Sequence, residues 1–342
     1  DYKTLDLDYM ESVMWAFKTL YDKGLIYEGF RVLAYCWRCE TPLSNTETRM
    51  DDVYRDRQDP AATVWFELAP DERAPVEALR GPLRVLAWTT MPWTLVPNVA
   101  LVVGPDIDYL VLERDGHRYV LAEARLSAYQ KEFGDAVPVA TVKGRDLVGR
   151  RYTPIFDFLV DQLRDVPAAF TVLAGDFVST EDGTGVVQVA PSHGEDDYIV
   201  CTAAGIPTIL TVDDRTRFTS IAPRFEGMQV FEANKPLLRE LRERGILVRQ
   251  DSYLHAYPHC WRCDTPLVYK AVSSWFVAVT KFKDRMLELN QQINWIPGHV
   301  KDGSFGKWLA NARDWSISRN RFWGSPIPVW KSDDPNYPRV DV

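Results

Sequence analysis

One eight-residue phrase occurs twice in this chain with a single conservative change, and it carries four of the five cysteines: Cys36-Trp-Arg-Cys39-Glu-Thr-Pro-Leu43 and Cys260-Trp-Arg-Cys263-Asp-Thr-Pro-Leu267. A C-x-x-C turn offers two sulfurs from one knuckle, and two such turns supply the four corners of a tetrahedral zinc site. The usual gap between knuckles is roughly 15–20 residues, whereas 220 residues intervene here. Spacing alone therefore leaves a second reading open, in which each pair is a reduced surface dithiol or a redox turn. The matching flanks favour zinc, because redox pairs have no reason to come as twins. A single structural Zn²⁺ held by Cys36, Cys39, Cys260 and Cys263, with bonds of about 2.3 Å, brings both knuckles together. Everything between them then leaves a stem and returns to it. Cys201 stands alone.

Composition narrows the classes further. A chain of 342 residues, 46% hydrophobic and 26% charged, is globular and long enough for two or three packed units. Five cysteines are too few for a disulfide scaffold. A net charge of −8 excludes a generic polyanion-binding face, so any nucleic-acid contact is expected in a local groove. No apolar run reaches the roughly 18–20 residues that span a bilayer, and Asp1–Asp8 lacks the apolar core of a signal peptide. With no initiator Met, the chain reads as a piece of something longer, cytoplasmic and monomeric, without membrane contact.

Along the chain, residues 8–23 show helical periodicity (Met10, Val13, Met14, Phe17, Leu20, Tyr21) with Gly24 as the stop. From about Ala62 the pattern becomes short β-rich runs: 63–68, 83–88, 98–103, 109–113, 117–122, 168–173 and 185–190. Asp115-Gly116 is a hairpin signal between two of them. Helices are expected at 195–204 and 233–244, each followed by Gly, in part of 274–290, and at 304–315. Seven of the twelve tryptophans lie from Trp261 to Trp330, marking a compositional shift after the second knuckle.

Two constellations inside the long excursion could carry chemistry. In Trp88-Thr89-Thr90-Met91-Pro92-Trp93-Thr94, a strand meets two threonines and then a proline that stops the ladder, exposing hydroxyls at the strand end. On residue type alone a Thr-rich strand is the simpler reading. The second runs from Gln188 through Ala190-Pro191-Ser192-His193-Gly194 into Glu195-Asp196-Asp197. Acids are favoured in a first helical turn by its partial positive charge, which accounts for Glu195 and Asp196. Asp197 sits one step further in, suited to a pocket and to an ammonium ligand. His193 reads as a solvated turn residue.

These motifs resemble class I isoleucyl-tRNA synthetases. The matching pieces are the two CWRC-x-TPL knuckles, WTT-x-PWTL-x-x-N at 88–98, GTGVV-x-x-AP-x-x-GEDDY at 183–198, SYLHAYPHCWRC at 252–263 and SRNRFWG-x-PIPVW at 318–330, in family order over nearly the whole length. PWTL and GEDDY set the chain apart from the valyl and leucyl relatives. The HIGH and KMSKS signatures of adenylate formation are absent, so ATP and Mg²⁺ belong only to a full-length parent that joins isoleucine to its tRNA. The resemblance implies an α+β fold: a strand-rich, β-barrel-like editing domain inserted in a zinc-knuckle stem, plus a partial Rossmann-type catalytic segment. The expected parts are 1–60 (helix and first knuckle), 61–250 (editing domain), 251–270 (second knuckle) and 271–342 (partial catalytic segment).

The activity this implies is hydrolysis of valine wrongly attached to the tRNA 3′ end. Asp197 would bind the α-ammonium of the valine or isoleucine moiety. Thr89 and Thr90, with nearby amides, would orient the ester and a water, Gln188 would stand at the remaining catalytic position, and Trp93 with Met91 would shape the side-chain pocket. Two positions depart from the family, which has a third threonine at Met91 and a histidine at Gln188. Methionine holds no water, and glutamine exchanges no proton near neutral pH, so hydrolysis is expected to be weak or lost. A zinc-stapled module that binds the tRNA 3′ end without catalysis is the alternative. Arg319, Asn320 and Arg321 either touch tRNA or brace the catalytic segment.

Overall fold

The computed structural model describes residues 3–44, 46–319, 324–334 and 336–342. The chain divides into two compact units, one of Asp1–Arg31 with Val272–Val342, the other of Val32–Ala271. Both knuckles and both candidate constellations fall in the second.

That unit is built on a seven-stranded sheet. Its strands are β1 (Tyr54–Leu68), β2 (Leu83–Thr89), β4 (Asp108–Arg114), β5 (His117–Ala122), β6 (Val137–Lys143) and β9 (Leu247–Pro258), in the order β9-β1-β2-β5-β4-β6, with Tyr152–Thr153 pairing off β1. A three-stranded sheet joins β3 (Ala100–Val103), β7 (Val172–Ala174) and β8 (Val186–Val189), with β3 in the middle. Helices α1 (Glu195–Ala203) and α2 (Val230–Glu243) follow β8 in the chain. The expected strand-rich α+β class holds. The expected barrel does not: among the described residues both sheets are open, with β9 and β6 ending one and β7 and β8 the other.

The long β1–β9 ladder runs from Leu247 opposite Val64 to Pro258 opposite Tyr54, so one antiparallel pair reaches from the sheet to the second knuckle. Leu86, Leu110, Leu112 and Leu121 bury one face of the sheet with Tyr129 and Phe133. The Tyr129 hydroxyl bonds Thr63 at 2.9 Å, which gives the buried phenol its partner. The β4–β5 turn is the hairpin the sequence announces. Arg114 pairs with His117 across two residues, and Asp115 and Gly116 both have positive φ, 50° and 72°, as a type I′ turn requires.

In the other unit the helix Leu7–Asp22 presents Phe17 to Trp275 (ring centroids 5.9 Å apart) and to a cluster with Ile26 and Val277. Residues 274–277 belong to the strand Val268–Val277, and helix begins only at Lys283–Gln291. The β-branched and aromatic run Val-Ser-Ser-Trp-Phe-Val overrides the helical periodicity read there. A shorter helix spans Ser304–Ala310. Among the described residues no helix is long and apolar enough to cross a membrane.

Candidate functional site

The two knuckles meet. Ligand atoms of Cys36, Cys39, Cys260 and Cys263 all lie within 4.8 Å of one another. The Cys36 and Cys263 sulfurs are 3.4 Å apart, too far for a disulfide and close to the edge of a small sulfur tetrahedron. The repeat is structural as well as textual. The residue after each second cysteine, Glu40 and Asp264, has left-handed φ of 51° and 60°, folding both turns alike. Leu43 and Leu267, the last letters of the two phrases, are both buried and pack on Cys36 and Cys260 with Ala34. Trp37 Nε1 donates across to the Pro266 carbonyl at 3.1 Å. Arg262 and Trp261 of the second knuckle donate to Glu47 beyond the first, at 2.6 and 3.3 Å. Burial raises the Cys39 and Cys260 thiols. Cys263 is also desolvated, yet hydrogen bonds from Thr265 and its sulfur neighbours bring it down to about 7. Closely spaced, half-shielded sulfurs with one poised to ionise suit a thiophilic cation.

The threonine motif closes off the end of β2. Thr89 Oγ1 accepts from the Met91 N–H at 3.0 Å, and Thr94 Oγ1 donates to the Met91 carbonyl at 2.8 Å. The turn Thr89–Leu95 is thus fastened at both ends by its own hydroxyls, aided by Pro92 in a short 3₁₀ turn. Thr89 is buried, while Thr90 and Met91 remain half-buried, and the Thr90 hydroxyl bonds no described residue. Trp93 is 1% exposed; its backbone N–H donates to Asn234 Oδ1 at 3.0 Å, and its buried indole Nε1 has no partner among the described residues.

Gln188 comes to this turn from β8, where it pairs with Leu101. Its Nε2 donates to Thr94 Oγ1 at 2.7 Å, and its Oε1 accepts from Asn98 Nδ2 at 3.3 Å. Asn98 Oδ1 in turn accepts from the Tyr152 hydroxyl at 2.6 Å. A buried relay, Tyr152–Asn98–Gln188–Thr94, ends on the backbone of Met91. Sequence reasoning quoted Asn98 and Thr94 inside a motif without assigning them, and missed Tyr152 and Asn234. The only signal was a polar residue in an apolar setting, because their partners are 54 to 141 positions away.

Asp197 lies in the first turn of α1. Its carboxylate folds back to accept from the Ala190 N–H at 2.7 Å, close to Gly194, where a Cβ would stand 2.5 Å from it. Burial pushes its pKa up to about 6, against the pull of the Ala190 and its own backbone N–H and with help from neighbouring Asp196. His193 departs from expectation: it is 4% exposed, edge-on to Trp93 with ring centroids 4.6 Å apart. Its Nδ1 lies 2.9 Å from the Tyr269 carbonyl, so Nδ1 carries the proton and Nε2 is a bare, unpartnered acceptor. Burial, with Lys270 nearby, drops its pKa to about 4. The Trp93 contact explains the burial; a turn histidine beside glycine gives no hint of an aromatic partner a hundred positions away.

Gln188–Thr94 and His193–Trp93 thus bring the two constellations into contact. Arg319 donates to the carbonyls of Ser316 and Ser318 at 2.9 and 2.7 Å, a local brace; Asn320 and Arg321 lie outside the described residues.

The sequence pattern of the family described as tRNA synthetases class I (I, L, M and V) matches residues 1–340. The chain belongs to that family. Among individual members, the isoleucine–tRNA ligases of Mycobacterium tuberculosis (strain H37Rv) and Nocardia farcinica are each 57% identical to it, and that of Rickettsia africae 55%, all over 100% of this chain. The chain spans about a third of the length of these relatives, 33%, 32% and 31% respectively. Among solved structures, the P. knowlesi cytosolic leucyl-tRNA synthetase editing domain is similar at a TM-score of 0.42 and 12% identity, over 58% of this chain and 97% of that one. The P. falciparum counterpart gives 0.38 and 13%, over 57% and 99%.

Proposed function

We propose that the chain is the part of an isoleucine–tRNA ligase that removes wrongly attached valine from the tRNA 3′ end. Residues 61–250 would form the editing domain, carried on a zinc-stapled stem formed by the two knuckles, and 271–342 would belong to the catalytic domain. ATP and Mg²⁺ would serve only the remainder of the parent protein. The observation that carries the reading is the contact between the Thr89–Leu95 turn and the Gln188–Asp197 segment through Gln188–Thr94 and His193–Trp93. Together the two motifs would line one polar recess. The need for such a recess is energetic. One methylene is worth about 1–3 kcal/mol in a binding pocket, and isoleucine against valine is the established example. A second, smaller pocket must do the remaining discrimination.

In this reading Asp197 holds the α-ammonium, and its pKa of about 6 leaves it ionised at neutral pH. The Thr90 hydroxyl, without a protein partner among the described residues, and the Met91 region meet the ester. Trp93 sets the depth of the recess from beneath. Zinc supplies no step; it would fix the stem. Gln188 and Met91 offer neither a proton acceptor nor a water ligand, so hydrolysis is slow. That Gln188 spends both ends of its amide on Thr94 and Asn98 favours a second reading, a module that binds the charged 3′ end without cleaving it. A deacylation assay on valyl-tRNA separates them. The editing reading expects measurable turnover that rises when Met91→Thr and Gln188→His are combined; silence from both proteins supports binding alone.

A further inference from the structure

Ten buried side-chain nitrogen and oxygen atoms have no hydrogen-bond partner among the described residues. Five belong to Arg84, Arg114, Glu132, Arg150 and Arg249, whose charged groups all have hydrogen-bond or ion-pair partners. The five on neutral side chains are the Tyr35 hydroxyl, Trp93 Nε1, Ser192 Oγ, His193 Nε2 and Thr211 Oγ1. None of these five residues is more than 4% exposed.

Far apart in sequence, the five gather around one stretch of backbone, residues 269–271. The Tyr269 carbonyl accepts from His193 Nδ1 at 2.9 Å, and the Ala271 N–H donates to the Ser192 carbonyl at 2.7 Å. Between them Lys270 lies over the Tyr35 ring at 4.7 Å and donates to the Asp213 carbonyl at 2.9 Å, two residues beyond Thr211. His193 extends the group to Trp93 through their edge-on rings. Tyr35 immediately precedes Cys36, so the group reaches from the first knuckle to the turn that carries Trp93.

The five are complementary in their chemistry. An indole N–H only donates, His193 Nε2 only accepts while Nδ1 carries the proton, and the three hydroxyls do both. A buried polar group left without a partner costs the full desolvation of that group, so five in one place call for a ligand. That ligand must donate and accept at once and be uncharged, because the cation at hand, Lys270, is already bonded to Asp213 and Asp214. It must also be small, since it lies among side chains almost wholly shielded from solvent. Water is the molecule of that description, and a buried water makes about three hydrogen bonds. Five groups with nearby carbonyls therefore suit about two waters.

We infer that Tyr35, Trp93, Ser192, His193 and Thr211 hold a small cluster of ordered waters that ties the knuckle side of the strand at 269–271 to the Thr89–Leu95 turn. Trp93 Nε1–H is the donor end of the cluster and His193 Nε2 the acceptor end.

The test combines two measurements on the full chain. In the first, nuclear magnetic resonance reads magnetisation transfer from a long-lived water to the Trp93 indole N–H, which should be seen in the wild type. In the second, urea unfolding compares Tyr35→Phe and Thr211→Val, each of which deletes one of the five atoms and keeps the side-chain shape. A water-bonded hydroxyl is missed when removed, so each change should lower the folding constant roughly two- to tenfold. Tyr109→Phe calibrates the scale, because the Tyr109 hydroxyl has a protein partner, the Gly185 carbonyl at 2.6 Å. A hydroxyl that is dry and unpartnered gives the opposite sign, because its removal relieves a cost. A folding constant that rises or stays unchanged in both variants overturns the inference, as does a Trp93 N–H that receives no transfer from bound water. Should a variant fail to fold, the wild-type indole measurement decides alone.

Discussion

The side-chain nitrogen of Gln188 donates to the Thr94 hydroxyl across 2.7 Å, and Thr94 passes that constraint to the Met91 carbonyl at 2.8 Å. Strand β8 thereby holds in place the turn on which Thr90 and Met91 sit. Replacing Gln188 with leucine removes one donor to the Thr94 hydroxyl and one acceptor from the Asn98 amide, which keep the Met91 carbonyl and the Ala100 and Val189 carbonyls respectively. A lost hydrogen bond costs about 0.5–1.5 kcal/mol net, so Gln188→Leu should lower the urea midpoint accordingly and speed hydrogen exchange at the Met91 amide, which donates to Thr89 in the wild type. A surface-like loss below about 0.5 kcal/mol would mean the relay does not fasten the turn.

His193 and Asp197 give opposite acid responses. His193 has a folded pKa of about 4, below its ordinary 6.5, so its contribution is full above 6.5 and is lost as pH falls toward 4. Asp197 has a folded pKa of about 6, above its ordinary 3.8, so its burial cost is full above 6 and is relieved as pH falls toward 3.8. At 1.36 kcal/mol per pH unit, each is worth up to about 3 kcal/mol, and the two nearly cancel between pH 6.5 and 4. Asp197→Asn should therefore be more stable than wild type at pH 7.5 and lose that advantage steeply on acidification. His193→Gln should become relatively more stable in acid. Parallel melting curves for all three proteins across this window would contradict the burial of both groups.

The same carboxylate sets the acid limb of the proposed activity. An ammonium is captured by the ionised form, so kcat/KM for valyl-tRNA should fall as pH drops through about 6. In Asp197→Asn the limb should vanish together with most of the affinity for valine esters, while binding of uncharged RNA should persist.

What the sequence disclosed follows from the range over which each signal acts. The Asp115-Gly116 hairpin was readable because a two-residue turn dictates its own φ values. Helices expected at 195–204 and 233–244 from their closing glycines are found at 195–203 and 230–243, the second starting three residues earlier. The joining of Cys36 to Cys263 was readable across more than two hundred residues only because the phrase was duplicated. Nothing comparable flags the 12-residue strand Leu247–Pro258, whose Arg, Gln, Asp and His are poor strand formers held by pairing with β1. Within the site, the motif residues were visible but their division of labour was not. Gln188, expected at a catalytic position, makes the hydrogen bonds of a structural residue, and Trp93 packs edge-on against His193, because both facts depend on Thr94, Asn98 and His193 arriving from elsewhere.

Metal removal tests the stem. Four sulfurs within 4.8 Å cannot all ionise without a cation between them, since like charges at that distance disfavour one another. Holding the proposed zinc they would be thiolates; stripped, they would take up protons and lose the bonds proposed to hold residues 36–43 against 260–267. An ion bound at a thousand times its dissociation constant stabilises by about 4 kcal/mol. A strong chelator should therefore lower the melting temperature of the full chain by several degrees and release one zinc per chain. The half-buried thiols of Cys39 and Cys263 should then react with a disulfide reagent under native conditions, while Cys201, buried on α1, stays protected. Cys36→Ser and Cys263→Ser should each abolish zinc retention, and Cys201→Ser should not. Because the knuckles lie at one end of the β1–β9 ladder, the stripped protein should lose protection first at Tyr54–Arg57 and Tyr257–Cys263 and last at Ala62–Phe66. Uniform loss along the ladder, or a chelator without effect, would show that the sulfurs meet through packing of Leu43 and Leu267 alone.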